Sequence, residues 1–108
     1  ETTLIYNDTY HAFFYHNGNK IYRWRTTAQE LPYENDARNT AIVPTGEITC
    51  MAQSADNEYL YVGVYDEAAA GLKGNVYIYK TETLELVKSF IGVANKPVKL
   101  FYNQHIFH

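Results

Sequence analysis

Aromatic side chains are the chemical resource that this sequence carries in excess. Its 108 residues include 11 Tyr, 5 Phe and 1 Trp, together 16 % of the chain. Flat rings stack on sugar faces and bury area at a low cost in side-chain entropy. Rings within strands are typical of packing, whereas rings in loops or at strand ends are better placed to bind a ligand. We therefore predict Trp24, Tyr33 and Tyr65 as ligand-binding residues.

Carboxylates are the second chemical resource. The acidic pairs are Asp66 with Glu67, Glu34 with Asp36, and Glu82 with Glu85. Asp66 and Glu67 adjoin Tyr65 and complete the predicted binding set. A glycoside hydrolase needs two carboxyl groups at a defined separation across a cleft, and Asp66, Glu67 or Glu34 would have to supply them. Solvated loop charge is the simpler interpretation, and the hydrolase stays as an alternative.

Other catalytic and metal chemistry lacks its sequence motifs. Neither serine, Ser54 or Ser89, lies in a Gly-x-Ser-x-Gly elbow. The lone cysteine, Cys50, alternates with Ile48, which predicts a buried thiol. The histidines are His11, His16, His105 and His108. We interpret them as solvated or partner-facing, because neither close pair shares a strand face. We predict no enzymatic activity, no metal site and no cofactor.

Charge and hydropathy exclude two classes of partner. Nine basic and twelve acidic residues give a net charge of −3, which argues against nucleic acid and against a polybasic membrane-surface protein. No apolar run approaches the ~18 residues of a membrane span, so we predict no direct membrane insertion. An apolar content of 46 % over 108 residues is typical of one globular domain.

Strand signals dominate the chain. The predicted strands cover residues 10–15, 21–25, 40–43, 48–52, 59–65, 76–79, 84–90 and 98–102. Asn17-Gly18 between the first two is a strong hairpin signal, because both central residues of the favoured turn must tolerate positive φ. Residues 54–58 are predicted as a turn. Residues 66–72 are predicted as a loop, since Gly71 and Gly74 interrupt the local helix formers.

Internal repeats organise these strands. Residues 19–26 align with 74–81, which matches Tyr22 with Tyr77 and Trp24 with Tyr79. A second set aligns residues 4–7, 50–53 and 100–103, whose copies lie 46 and 50 residues apart. A period of about 40–50 residues with four short strands per unit is typical of a β-propeller blade.

The sequence therefore predicts an all-β fold of antiparallel, four-stranded β-propeller-type blades. Residues 1–108 form one such segment, with blade repeats at about 4–49 and 50–99 and the start of a third blade at 100–108. Closed propellers need about 4–8 blades, so we interpret the chain as a fragment of a larger propeller. Because open sheet edges pair readily with other chains, self-association through those edges is one alternative. A small β-sandwich is the other.

Four strings of the sequence resemble blades of a known family. Residues 11–23 (HAFFYHNGNKIYR) resemble a blade hairpin, and residues 46–51 (GEITCM) resemble the inner strand that follows it. Residues 60–66 (LYVGVYD) and 74–79 (GNVYIY) resemble the next two strands. Together they resemble the C-terminal propeller of PKD-like family lipoproteins from the surface of gut bacteria. The resemblance covers about residues 4–102, and its motifs concern blade packing.

The resemblance implies a non-enzymatic, extracytoplasmic protein of the bacterial cell surface. Its partners would be a glycan or a surface protein, together with the rest of the propeller. It also implies a lipid anchor outside this sequence, because Cys50 lies in a predicted mid-chain strand and is not the lipidated residue. Part of a glycoside hydrolase or lyase propeller and a self-associating structural module are the alternative functions.

Overall fold

The computed structural model describes residues 4–27 and 38–96, and all regular elements among them are β-strands. They form two open, four-stranded antiparallel sheets, a first sheet of order β1-β2-β3-β4 and a second of order β5-β6-β7-β8. The predicted all-β fold is confirmed. The strands are β1 Ile5–Asn7, β2 Ala12–Asn17, β3 Lys20–Arg25, β4 Thr40–Ile42, β5 Glu47–Gln53, β6 Tyr59–Tyr65, β7 Gly74–Lys80 and β8 Leu86–Ala94. Within these described ranges there is no helix with the length and hydropathy to cross a membrane.

Side chains of the first sheet alternate between two faces, as the sequence pattern predicts. Tyr22 and Trp24 lie on one face, and Ile21 lies on the other. This second face also carries Ala12 and Phe14, which are fully buried like Ile21. Burial of each large apolar side chain contributes about 1.5–3 kcal/mol, so alternation fixes which face of the sheet packs inward.

The β2–β3 hairpin is confirmed, but its turn differs by one residue from the prediction. Asn17 pairs with Lys20, so the two central residues are Gly18 and Asn19. Gly18 has φ 59°, which matches a type II′ turn with glycine at the first central position. Asn17 is the last residue of β2 and does not occupy a central turn position.

The second sheet is apolar on both faces. Along β6, Leu60, Val62 and Val64 lie on the face toward the first sheet, and Tyr61 lies on the opposite face. All four are buried, as is Ile78, which pairs with Tyr61. A continuous apolar run without polar alternation is typical of a strand covered on both sides.

Two strand boundaries differ from the prediction because residues other than glycine adopt positive φ. Leu84 has φ 59° and lies in the turn after β7, with its side chain buried in the core. The prediction that the strand over residues 84–90 begins at residue 84 is therefore wrong, since β8 begins at Leu86. His11 has φ 53°, and β2 accordingly begins at Ala12 rather than at residue 10.

The two sheets stack with β1 and β5 as parallel neighbours. At the end of both strands, Asn7 Nδ2 donates to Gln53 Oε1 (3.0 Å). At the start of β5, Ile48 N donates to Gly18 O (2.8 Å) in the β2–β3 turn. Because β1 is antiparallel to β2, that turn also marks the start of β1. The first strands of the two sheets therefore run in the same direction.

This stacking brings opposite faces of the two sheets into contact. Contact between equivalent faces requires a twofold axis between the sheets, and such an axis reverses either the direction of the strands or their order across the sheet. Because direction and order are the same in both sheets, equivalent faces cannot meet. The second sheet packs on the first with one of its two faces. In the first sheet, the equivalent face is the one that points away from the second sheet. The strand registers then match the row Tyr6–Phe13–Trp24 with Gln53–Leu60–Tyr79, and the row Tyr15–Tyr22 with Val62–Tyr77.

Candidate functional site

The loop after β6 carries two of the predicted binding residues and is closed by its own hydrogen bonds. Asp66 N donates to Lys73 O (2.7 Å), and Asp66 Oδ1 accepts a bond from Ala68 N (3.1 Å). The Lys73 ammonium group donates to the main-chain oxygens of Glu67 (2.9 Å) and Ala69 (2.6 Å). The loop, predicted as such, is compact, and the Glu67 side chain is exposed on it. An ordered loop on a rigid sheet is a favourable place for a binding site.

Tyr65 lies directly beside this loop. It is the last residue of β6, in agreement with the predicted strand over residues 59–65, and its side chain is half-buried. The Lys96 ammonium nitrogen lies 5.3 Å from the centre of the Tyr65 ring, within the range of a cation–π interaction. The structure thus places the Lys96 ammonium group over the Tyr65 ring, and Asp66 and Glu67 follow in the adjoining loop. A ring beside carboxylates can stack on a sugar face while the carboxylates accept hydrogen bonds from the sugar hydroxyl groups.

Trp24 belongs to a different surface, which we name the outer aromatic face. It consists of Tyr6, Phe13, Tyr15, Tyr22 and Trp24 on the side of the first sheet that points away from the second. Ring centres lie 4.9 Å apart for Tyr6 and Phe13, 5.6 Å for Phe13 and Trp24, and 5.1 Å for Tyr15 and Tyr22. Such cross-strand aromatic pairs stabilise a sheet by about 0.2–1 kcal/mol each.

The predicted binding residues therefore do not form one site. Trp24 lies on the first sheet and points away from the second, whereas the Tyr65 side chain lies on the face of the second sheet that points away from the first. Both sheets separate them. Tyr33, together with Glu34, lies outside the described residues.

An acidic cleft lies at the opposite end of the second sheet from Tyr65. Its volume is about 230 Å³, and it is lined by Asp56, Glu58, Tyr59, Lys80 and Glu82. Hydrogen bonds from Ser54 Oγ (2.6 Å) and Glu58 N (3.0 Å) hold the pKa of Asp56 below its ordinary value. Asp56 is therefore ionised at neutral pH and does not provide the proton that a general acid must donate.

Tyr10 joins this cleft from the first sheet, a contact that sequence reasoning missed. Its hydroxyl donates to Glu58 Oε1 (2.7 Å). That bond, together with burial and the negative charges of Glu58, Glu82 and Asp56, raises the pKa of Tyr10 to about 12. The two residues are 48 positions apart. The contact could have been predicted from the internal repeat, because the β1–β2 and β5–β6 turns occupy equivalent places in the two sheets.

The burial of His16 and Cys50 bears on how these two titratable residues were interpreted from the sequence. His16 is buried in β2, and burial lowers its pKa from 6.5, so the prediction that it is solvated is wrong. Cys50 is buried as predicted, and burial raises the pKa of its thiol. A thiol in this environment reacts slowly, because the thiolate is the nucleophile.

Metal binding and similarity to known proteins add no further assignment. Among residues 4–27 and 38–96, no three His, Cys, Asp or Glu side chains are grouped so that they could hold a metal ion. His105 and His108 lie outside those ranges. No family model and no curated protein matches the sequence. The stacked sheets and the loop beside Tyr65 are therefore the basis for a functional conclusion.

Proposed function

We propose that this chain is a β-propeller-type repeat segment that serves as a non-enzymatic binding scaffold. The observation that supports the propeller is the stacking of two sequential four-stranded meanders with parallel first strands, β1 beside β5. Propeller blades repeat in this manner around an axis. Immunoglobulin-type sandwiches, in contrast, exchange strands between their sheets through Greek-key connections. Here each sheet is contiguous in sequence, and residues 43–46 are the whole connection between them.

The binding surface of this scaffold is the end that carries Tyr65, Asp66 and Glu67. The loop is held by Lys73, and Val62 and Val64 in the strand that leads into it are fully buried. A glycan is the ligand class that these three residues fit best. The ring supplies a surface on which a sugar can stack, and the two carboxylates can accept hydrogen bonds from sugar hydroxyl groups. A surface protein that presents similar polar groups is the second ligand class. By the resemblance of its blades, the protein acts at the surface of a bacterial cell.

Glycan-array binding followed by calorimetry tests this proposal. Tyr65→Ala and Glu67→Gln should each weaken binding of a captured glycan by about 10-fold, which corresponds to about 1.4 kcal/mol. Glu85→Gln is the matched control, because Glu85 is an exposed acidic residue at the other end of the second sheet. Binding that is unchanged in Tyr65→Ala and Glu67→Gln would place the ligand elsewhere. Failure to capture any bacterial or host glycan would remove the glycan from the proposal.

A further inference from the structure

The outer aromatic face is a partly exposed aromatic surface of the first sheet. Its five rings cross three strands, and Tyr6 is 42 % exposed. Two aliphatic side chains on the same side extend it, namely Leu4 (65 % exposed) before β1 and Ile42 (61 % exposed) on β4. Contiguous exposed apolar patches of several hundred Å² mark interaction surfaces.

The repeat indicates what covers such a face. In the second sheet, the corresponding rows contain Leu60, Val62, Tyr77 and Tyr79, which pack against the first sheet. The second sheet therefore uses this face to contact the sheet that precedes it in the sequence. The outer aromatic face is the equivalent face of the first sheet, on the side opposite to the interface between the two sheets.

We propose that the outer aromatic face binds a sheet of a second copy of this chain. The equivalent face of the second sheet contacts a sheet of the same repeat. A second copy of this chain carries such a sheet. The inference rests on the repeat organisation proposed above and not on the glycan ligand.

The available area predicts a weak but specific association. Five half-buried rings and two exposed aliphatic side chains would bury roughly 80–100 Å² each, given 150–250 Å² for a whole ring. This gives about 600 Å² per copy and about 1,200 Å² in total, at the lower end of stable interfaces. An association in the micromolar range is therefore expected.

Sedimentation velocity and quenching of tryptophan fluorescence test the proposal on the full chain. Trp24 is the single tryptophan and lies within the proposed contact, so its emission reports directly on coverage. As protein concentration rises, the sedimentation coefficient should increase, and the acrylamide quenching constant of Trp24 should fall by about half as its exposed edge is covered.

Matched variants separate face packing from edge pairing. Tyr6→Glu and Ile42→Glu place a charge on the outer aromatic face at exposed positions and should each weaken association by at least about 10-fold. Ile91→Glu changes an equally exposed side chain (65 %) on β8, an edge strand of the second sheet, and should have no effect. Circular dichroism confirms that each variant is folded.

Two results would overturn the proposal. One is a protein that remains monomeric from about 1 µM to 1 mM, a range that spans the expected affinity. The other is association that Ile91→Glu abolishes and the two face variants leave intact, which would assign the contact to the β8 edge. A monomer that still binds glycan would contradict this inference and leave the binding function standing.

Discussion

Replacement of Gly46 by alanine tests how the connection between the sheets positions the proposed binding loop. Gly46 has φ 68° and lies in the four-residue link between β4 and β5. A Cβ at this position would lie closest to Tyr65 O, 2.7 Å from Tyr65 C and 2.9 Å from Asp66 Cα. These are main-chain atoms at the end of a paired strand, so they cannot rotate aside. The extra methyl group must displace Tyr65 and Asp66.

Gly18 provides a matched control for the backbone term. It has φ 59°, and a Cβ there would meet no heavy atom within 4 Å. Gly18→Ala therefore costs only the positive-φ backbone conformation of alanine, about 1–2 kcal/mol. Gly46→Ala carries the same cost plus overpacking against fixed neighbours, typically about 1–3 kcal/mol more. The expected losses of unfolding free energy are about 1–2 kcal/mol for Gly18→Ala and about 2–5 kcal/mol for Gly46→Ala.

Urea unfolding followed by circular dichroism measures both losses, with an unchanged m value as evidence that the comparison is valid. Gly46→Ala should in addition weaken glycan binding, because it moves Tyr65 and Asp66, whereas Gly18→Ala should retain it. Equal stability losses for the two variants, within about 0.5 kcal/mol, would show that the link is free to yield. The reasoning about loop position would then be refuted.

Three further predictions concern buried polar groups. Tyr77→Phe removes a hydrogen bond to Thr45 (2.7 Å) and should cost about 1 kcal/mol. Tyr79→Phe removes a buried hydroxyl that has no partner in the described structure and should be neutral or stabilising. Calorimetry compares the two, and equal losses would contradict this account. Because burial lowers the pKa of His16, the unfolded chain binds a proton first, and stability should fall as pH drops below 6.5. His16→Gln should flatten that dependence in urea titrations, and an unchanged slope would exclude His16 as its cause. The Cys50 thiol should react at least about 10-fold more slowly in the native than in the unfolded protein, and equal rates would show that the site opens readily.

Local sequence patterns were sufficient for most of the strands and insufficient where tertiary packing decides. Alternation predicted the faces of β3, and Asn17-Gly18 predicted the hairpin, because both depend on neighbouring residues. Leu84 adopts positive φ because the turn places its side chain in the core, which no local propensity encodes. The burial of His16 was accessible from the pattern, since it shares a face with Ala12 and Phe14.

The candidate site shows the same division. Tyr65, Asp66 and Glu67 are adjacent in sequence, so their grouping needed no knowledge of the fold. The separation of Trp24 from them follows only from the stacking of the two sheets. The acidic cleft required a contact between Tyr10 and Glu58 across the stack, which depends on the relative placement of two turns.

A shift of one residue in the alignment of the two repeats decides to which face of the first sheet the aromatic rings are assigned. The sequence alignment matches Asn7 with Gln53, 46 residues on, whereas strand pairing and stacking match Tyr6 with Gln53. A shift of one residue moves every side chain of a strand to the other face. The alignment of Tyr22 with Tyr77, in contrast, agrees with the registers. The two sequence alignments thus assign opposite faces, and strand pairing decides between them. Because Tyr77 packs between the sheets, the equivalent Tyr22 and its neighbour Trp24 occupy a packing face. A soluble ligand is therefore not expected at Trp24.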